Sequence, residues 1–125
     1  MFTHIMVGAN DPAKSVAFYN AALGALGIPA GHPTPTGGAH FSHNGGNFGV
    51  GAPANGEPAT YANGGTIGFR AESNAQVDAF HAAGLANGGS CEGAPGKRGS
   101  GDMESYGAYL RDPDGNKICA FVWGG

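Results

Sequence analysis

The first half of this chain is written again in the second. Residues 4–23 and 66–85 align at a constant offset of 62 positions, with identities Ile5/Ile67, Ala9/Ala71, Ala13/Ala75, Ala17/Ala79, Phe18/Phe80, Ala21/Ala83 and Leu23/Leu85. Alanine matches are cheap in an alanine-rich chain. The Ile, Phe and Leu matches are not, nor is the shared order of local signals. A repeat of this length marks one supersecondary unit used twice.

Each copy opens with an alternating segment. Ile5 and Val7 alternate with His4 and Met6, and Ile67 and Phe69 alternate with Thr66, Gly68 and Arg70. A period of two predicts a strand with one apolar face. A helix start follows. Asp11 is an N-cap with Pro12 at the first helical position, and Ser73 with Gln76 has the spacing of a capping box. Gly27 and Gly88-Gly89 stop the two helices. Ala13, Ala17 and Ala21, like Ala75, Ala79 and Ala83, recur every four residues, which predicts a small-residue strip set against a sheet. Each copy then closes with a hairpin. Residues 105–111 and 117–123 flank Asp112-Pro113-Asp114-Gly115-Asn116, and residues 40–43 and 48–52 flank Asn44-Gly45-Gly46-Asn47. A short extra strand after each helix is compatible with the pattern. The expectation is an α+β fold of two tandem βαβββ modules, about 1–55 and 64–125, joined through Gly56–Gly65 and forming a single domain over 1–125.

Bulk properties narrow the function classes. With 25 glycines and 8 prolines the chain invites a reading of disorder, but 41% hydrophobic residues in periodic segments oppose it. Net charge is −3 and only 12% of residues are charged, so no basic stripe for nucleic acid and no polybasic membrane patch exists. The low charge suggests surface hidden in a homodimer. The N-terminal MFTHIMVGAND has no cationic leader, and no apolar run approaches the roughly 20 residues of a membrane span. Two cysteines, Cys91 and Cys119, fit a reduced, cytoplasmic protein.

The strand faces follow by elimination. Ile5, Val7, Ile67, Phe69, Leu110, Ile118, Ala120 and Val122 form an apolar set expected under the helices. The other face carries His4, Met6, Thr66, Gly68, Arg70, Tyr109, Cys119, Phe121 and Trp123. Helices on the outer face of a curved mixed sheet would leave this aromatic and polar set lining a cup, either as a small-molecule site or as a surface for a dimer partner.

THIMVGANDPAKSVAFYNAALGALG resembles the opening strand and helix of the vicinal-oxygen-chelate superfamily, which includes glyoxalase I, bleomycin-resistance proteins and extradiol dioxygenases. GGTIGFRAESNAQVDAFHAAGLANGG resembles its second-module copy, and YGAYLRDPDGNKICAFV its last hairpin. The resemblance covers roughly two-thirds of the chain and implies paired βαβββ modules around a cup. In the family's enzymes that cup holds a divalent metal, with ligands from the first and last strand of each module. Carried over residue by residue, His4 matches the first ligand position, while Thr66 and Cys119 stand where His and a carboxylate are usual. Phe48-Gly49-Val50-Gly51 offers no fourth ligand. One His and one thiol are too few for a strong site, so no cofactor is expected; a divalent metal, were one held, would have His4 as its one matching ligand.

Other histidines separate by position. His40 and His43 lie three apart on one strand and point to opposite faces. His32 and His81 read as loop and exposed-helix residues. Cys119 has no visible base beside it and reads as inert. Gly88–Glu104 reads as a long glycine-rich loop, either a lid or a solvent loop, whose amides with Lys97 and Arg98 could hold an anionic group.

Three functions are consistent with these features. The first is a metal-independent small-molecule binder of the bleomycin-resistance type, with His4, Met6, Thr66, Arg70, Tyr109, Cys119, Phe121 and Trp123 around the ligand. The second is a metal-dependent lyase or isomerase similar to glyoxalase I, or a dioxygenase-related enzyme. The third is a scaffold or interface protein without a ligand.

Overall fold

The computed structural model describes residues 1–124 and contains two helices and two four-stranded sheets of identical topology. The first half runs β1 (Ile5–Gly8), α1 (Pro12–Gly24), β2 (His32–Pro33), β3 (Ala39–His43) and β4 (Gly46–Gly51). The second runs β5 (Ile67–Arg70), α2 (Asn74–Ala86), β6 (Ser90–Arg98), β7 (Ser105–Arg111) and β8 (Lys117–Trp123). The sheet orders are β1-β4-β3-β2 and β5-β8-β7-β6. In each, the opening strand lies parallel to the last one, and the remaining neighbours are antiparallel. The repeat in the sequence is thus a repeat of βαβββ connectivity, and the fold is α+β.

Local signals act where the sequence puts them. Asp11 accepts a hydrogen bond from the Lys14 amide, with Pro12 opening α1. Ser73 accepts from the Gln76 amide at 3.2 Å, and Gln76 Oε1 accepts from the Glu72 amide at 2.8 Å, one residue outside the usual reciprocal partner. The first hairpin is tighter than its four-residue turn signal. His43 pairs with Gly46, leaving Asn44 and Gly45 at φ 49° and 83°, the left-handed pair that a two-residue turn demands.

Two expectations are overturned. Gly88–Glu104 is no loop. Its first part is β6, a nine-residue edge strand paired to β7 with two register shifts, followed by a 3₁₀ turn at Gly101–Met103. The glycines that suggested a loop accommodate those irregularities. Nor do the alanine strips face the sheets: Ala13, Ala17, Ala75 and Ala79 are exposed. The buried stripes are Ser15, Phe18, Tyr19, Ala22 and Leu23 on α1, and Val77, Phe80, His81 and Gly84 on α2. A Phe or Leu removes far more apolar area from water than an Ala, so the large side chains set the rotation of each helix. The close approach to the sheet comes at Gly84 instead, where an added Cβ would collide with Leu110 Cδ1.

One core joins the halves. Leu110, Ile118 and Ala120 are fully buried with Phe18, Tyr19, Leu23 and Phe80, while Val7, Ile67, Phe69 and Val122 pack at its margin. The helices pack on each other, and Phe48 meets Phe69 edge-on at 5.3 Å.

Candidate functional site

On the second sheet, cross-strand register gathers one face into three rows, because directly opposed residues project to the same side. The first row is Gly68, Cys119, Tyr109 and Gly93; the second is Arg70, Phe121 and Gly107; the third is Trp123, Ser105 and Arg98. Leu110, Ile118 and Ala120, on the alternate positions, face the helices. The missing side chain at Gly107 is what lets Phe121 lie down on the sheet, since a Cβ there would strike its ring.

These rows wall a cavity of about 570 Å³, which Phe69, Gly99 and Met103 also line. Its size falls in the roughly 300–1,000 Å³ range of small-molecule sites. Phe121 and Trp123 are stacked, with centroids 5.4 Å apart and planes at 20°, and Tyr109 meets Phe121 edge-on. Trp123 is 58% exposed, so the aromatic wall continues out to solvent.

Positive charge is concentrated here. The Arg98 guanidinium lies 5.4 Å from the Tyr109 centroid and 5.9 Å from that of Phe121, and Lys117 Nζ is 4.9 Å from Tyr109. Arg98 donates to the carbonyls of Ala94, Gly96 and Gly107, so it braces the irregular part of β6 while keeping its charge in the wall. Arg70 has no hydrogen bond or ion pair among the described residues. No lining residue is acidic. A chain of net charge −3 therefore carries a cationic, aromatic hollow. Burial pushes the Cys119 thiol up to about 11, against the downward pull of Lys117 and Arg98.

Five of the eight residues singled out from the sequence, Arg70, Tyr109, Cys119, Phe121 and Trp123, line this cavity. His4, Met6 and Thr66 do not; all three are exposed. His4 hydrogen-bonds through Nδ1 to Thr3, and Met6 lies over Gly49. Arg98 and Met103 are hidden from strand-based reasoning because Gly88–Glu104 reads as loop, whereas Ser105 opens an expected strand, on the same face as Tyr109, without being singled out. Lys97 and Arg98 separate, since only Arg98 lines the hollow.

The donors for a divalent metal do not assemble. No group of three or more His, Cys, Asp or Glu able to hold an ion occurs among the described residues. Cys119 is buried in the cavity wall, and no His, Asp or Glu among that cavity's lining residues stands beside it to complete a site. The donor set does not fit the metal that the resemblance implies.

A second cavity, about 310 Å³, lies between the halves, walled by Ile5, Leu23, Ile28, Phe48 and Ile67 with Arg70 and Glu72. His81 departs from its expected exposure. It is 9% exposed, with Nε2 3.2 Å from Cys91 Sγ.

The sequence profile of the Glyoxalase/Bleomycin resistance protein/Dioxygenase superfamily matches residues 1–120. A glyoxalase/bleomycin resistance protein from Albidiferax ferrireducens T118 is 54% identical, with a TM-score of 0.88 and 97% of each chain covered. A lactoylglutathione lyase from Agrobacterium tumefaciens is 25% identical, with a TM-score of 0.65, covering 97% of this chain and 92% of that one. Protein SA1046 from S. aureus, 20% identical with a TM-score of 0.73 over 98% and 93% of the two chains, shares the fold. Among proteins of curated function none matches.

Proposed function

Because the chain belongs to the Glyoxalase/Bleomycin resistance protein/Dioxygenase superfamily, we propose that it binds a small, planar, anionic organic molecule in the cup of its second half, without a metal. The observation that carries this reading is the pairing of stacked Phe121 and Trp123 with Arg70 and Arg98 in one hollow free of acids. A flat aromatic group would stack on the exposed Trp123 ring, and a carboxylate would meet Arg70, whose fork of donors suits it. His4, Met6 and Thr66 are exposed outside the hollow and would contact a ligand only if it extends beyond the lining or if a second copy brings its own surface over the mouth. The low charge content supports such a homodimer. No helix among the described residues is long and apolar enough to cross a membrane.

Trp123 is the only tryptophan of the chain, so its fluorescence reports occupancy of the cup directly. Titration with aromatic carboxylates such as benzoate and cinnamate is expected to quench it and to raise the melting temperature, with the matching amides much weaker. Absence of both effects at millimolar carboxylate defeats the reading. A metal-dependent lyase is the second reading, and the relative described as a lactoylglutathione lyase favours it. The donor set around Cys119 opposes it. Nickel, zinc or manganese raising the melting temperature in a His4-dependent way would restore it.

A further inference from the structure

On the face of the second sheet turned away from the cup, α2 and the edge strand β6 bring an imidazole to a thiol. We propose that Cys91 is a modification site at which His81, acting as base, lets the thiol exchange with a low-molecular-weight disulfide and become a mixed disulfide.

The geometry supplies the three things such a site needs. The first is a base within reach: His81 Nε2 lies 3.2 Å from Cys91 Sγ. That is the ring's only hydrogen bond among the described residues. His81 sits on the buried stripe of α2, where a polar ring needs a partner, and the strand provides sulfur. The second is the right protonation state. Burial lowers the His81 pKa below its usual 6.5, although Asp78, one turn earlier on α2, pulls the other way. The ring is therefore neutral at neutral pH, and in the tautomer that carries its proton on Nδ1 it accepts the thiol proton at Nε2. Asp78 is itself held by the Tyr106 hydroxyl at 2.6 Å. The third is access. Cys91 is exposed, and β6 is the outermost strand, so no further strand covers the sulfur.

The other cysteine provides an internal contrast. Cys91 is paired with Leu110, whose row faces the helices, whereas Cys119 is paired with Tyr109 in the cup. The two sulfurs project from opposite faces and cannot bridge. Cys119 is buried, has its pKa pushed up to about 11 and has no hydrogen-bonded base. Only one thiol of the chain is both exposed and assisted. Cys91 lines neither cavity described above, which suits a small reagent arriving from solvent better than an enclosed substrate.

In the exchange, His81 Nε2 takes the thiol proton as Sγ attacks one sulfur of the incoming disulfide. The disulfide bond breaks, a new bond joins Cys91 Sγ to that sulfur, and the second sulfur leaves as thiolate. The imidazolium returns its proton to the leaving thiolate. Cys91 is oxidised, the disulfide is reduced to one thiol, and no other oxidant is required.

The test uses the full reduced chain. Incubation with oxidised glutathione followed by peptide mapping should give one adduct per chain, at Cys91 and not at Cys119. With an aromatic disulfide that releases a coloured thiolate, Cys91→Ser should lose the fast phase, and His81→Gln should slow it about tenfold, a modest share of what a positioned base contributes. If His81→Gln fails to fold, the wild-type chain still decides, in a comparison of native Cys91 with the same thiol in urea at one pH. A native thiol faster than the unfolded one supports the site. Prior reaction at Cys119, a wild-type rate in folded His81→Gln, or a native thiol no faster than the unfolded one overturns it.

Discussion

Tyr19 Oη donates a 2.6 Å hydrogen bond to Asp112 Oδ2, joining the helix of the first half to the last hairpin of the second. Asp112 is the centre of that joint. Its Oδ1 accepts from the amides of Asp114 and Asn116, and its Oδ2 also accepts from Asn116 Nδ2. Asp114 in turn accepts from Asn10 and Ser15, and Asn116 donates to the Gly8 carbonyl. The turn that closes the second hairpin therefore also fastens it to the first half. Burial, and then the neighbouring carboxylate, push the Tyr19 phenol far above its usual range, so it remains a donor at every ordinary pH.

Tyr19→Phe should cost about 2 kcal/mol, the usual worth of a hydrogen bond to a charged group. Asp112→Ala should cost more, because Tyr19 and Asn116 would both lose a buried acceptor. Urea unfolding of the two variants checks the order. A Tyr19→Phe chain as stable as wild type would mean that the joint contributes nothing.

Two helical glycines make a matched pair. At Gly84 an added Cβ meets Leu110 Cδ1 and lies 3.2 Å from Phe18 Cε1, both fully buried side chains, whereas at Gly24 nothing lies within 4 Å. Alanine is favoured over glycine in a helix by about 1 kcal/mol, and overpacking a core costs about 1–3 kcal/mol. Gly84→Ala should therefore destabilise the protein by about 1 kcal/mol net, and Gly24→Ala should be neutral or slightly stabilising. Thermal melts of the two variants measure the difference, and equal shifts would show that α2 can move away from β7.

How much of this could be read from the sequence depended on which residue types carried each element. Period-two alternation at Ile5 to Val7 and Ile67 to Phe69, caps at Asp11 and Ser73, and the DPDGN turn each point to one local structure, so the opening strand, helix and closing hairpin of each module were legible. β6 was not. With Gly93, Gly96 and Pro95 it has no alternation to count, and it is a strand because β7 offers it a partner. Arg98 was consequently visible as a cation but not as part of the cup. The helix rotation was misread because alanine spacing is regular yet weak in energy. The separation of His4 from the hollow depends on how the two sheets sit against each other, which no local pattern encodes, while Thr66 precedes the first paired residue of β5 and lies outside the lining.

Alkaline stability should decline in a defined window. Burial raises the Cys119 pKa from 9.0 to about 11. Between those values the unfolded chain has released the thiol proton and the folded chain has kept it. The contribution is whole below pH 9 and is lost as pH rises towards 11. Tyr19, also raised, adds to the loss above pH 10. Denaturant midpoints from pH 8 to 11 should fall, and Cys119→Ala should flatten the first part of that fall. An unchanged slope in Cys119→Ala would show that the thiol titrates normally in the folded protein.

Arg70 and Arg98 should separate when each is replaced. Both line the same cavity, but Arg98 is tied to three backbone carbonyls and Arg70 to nothing among the described residues. Arg70→Gln should leave the melting temperature within experimental error and weaken an aromatic carboxylate about tenfold, which corresponds to about 1.4 kcal/mol for one charge-assisted contact. Arg98→Gln should weaken the same ligand and also lower stability, because the irregular stretch of β6 loses its brace. Trp123 fluorescence titrations set beside thermal melts give both quantities for each variant. Equal carboxylate affinity in Arg70→Gln and wild type would remove the free guanidinium from the site and leave stacking as its only source of selectivity.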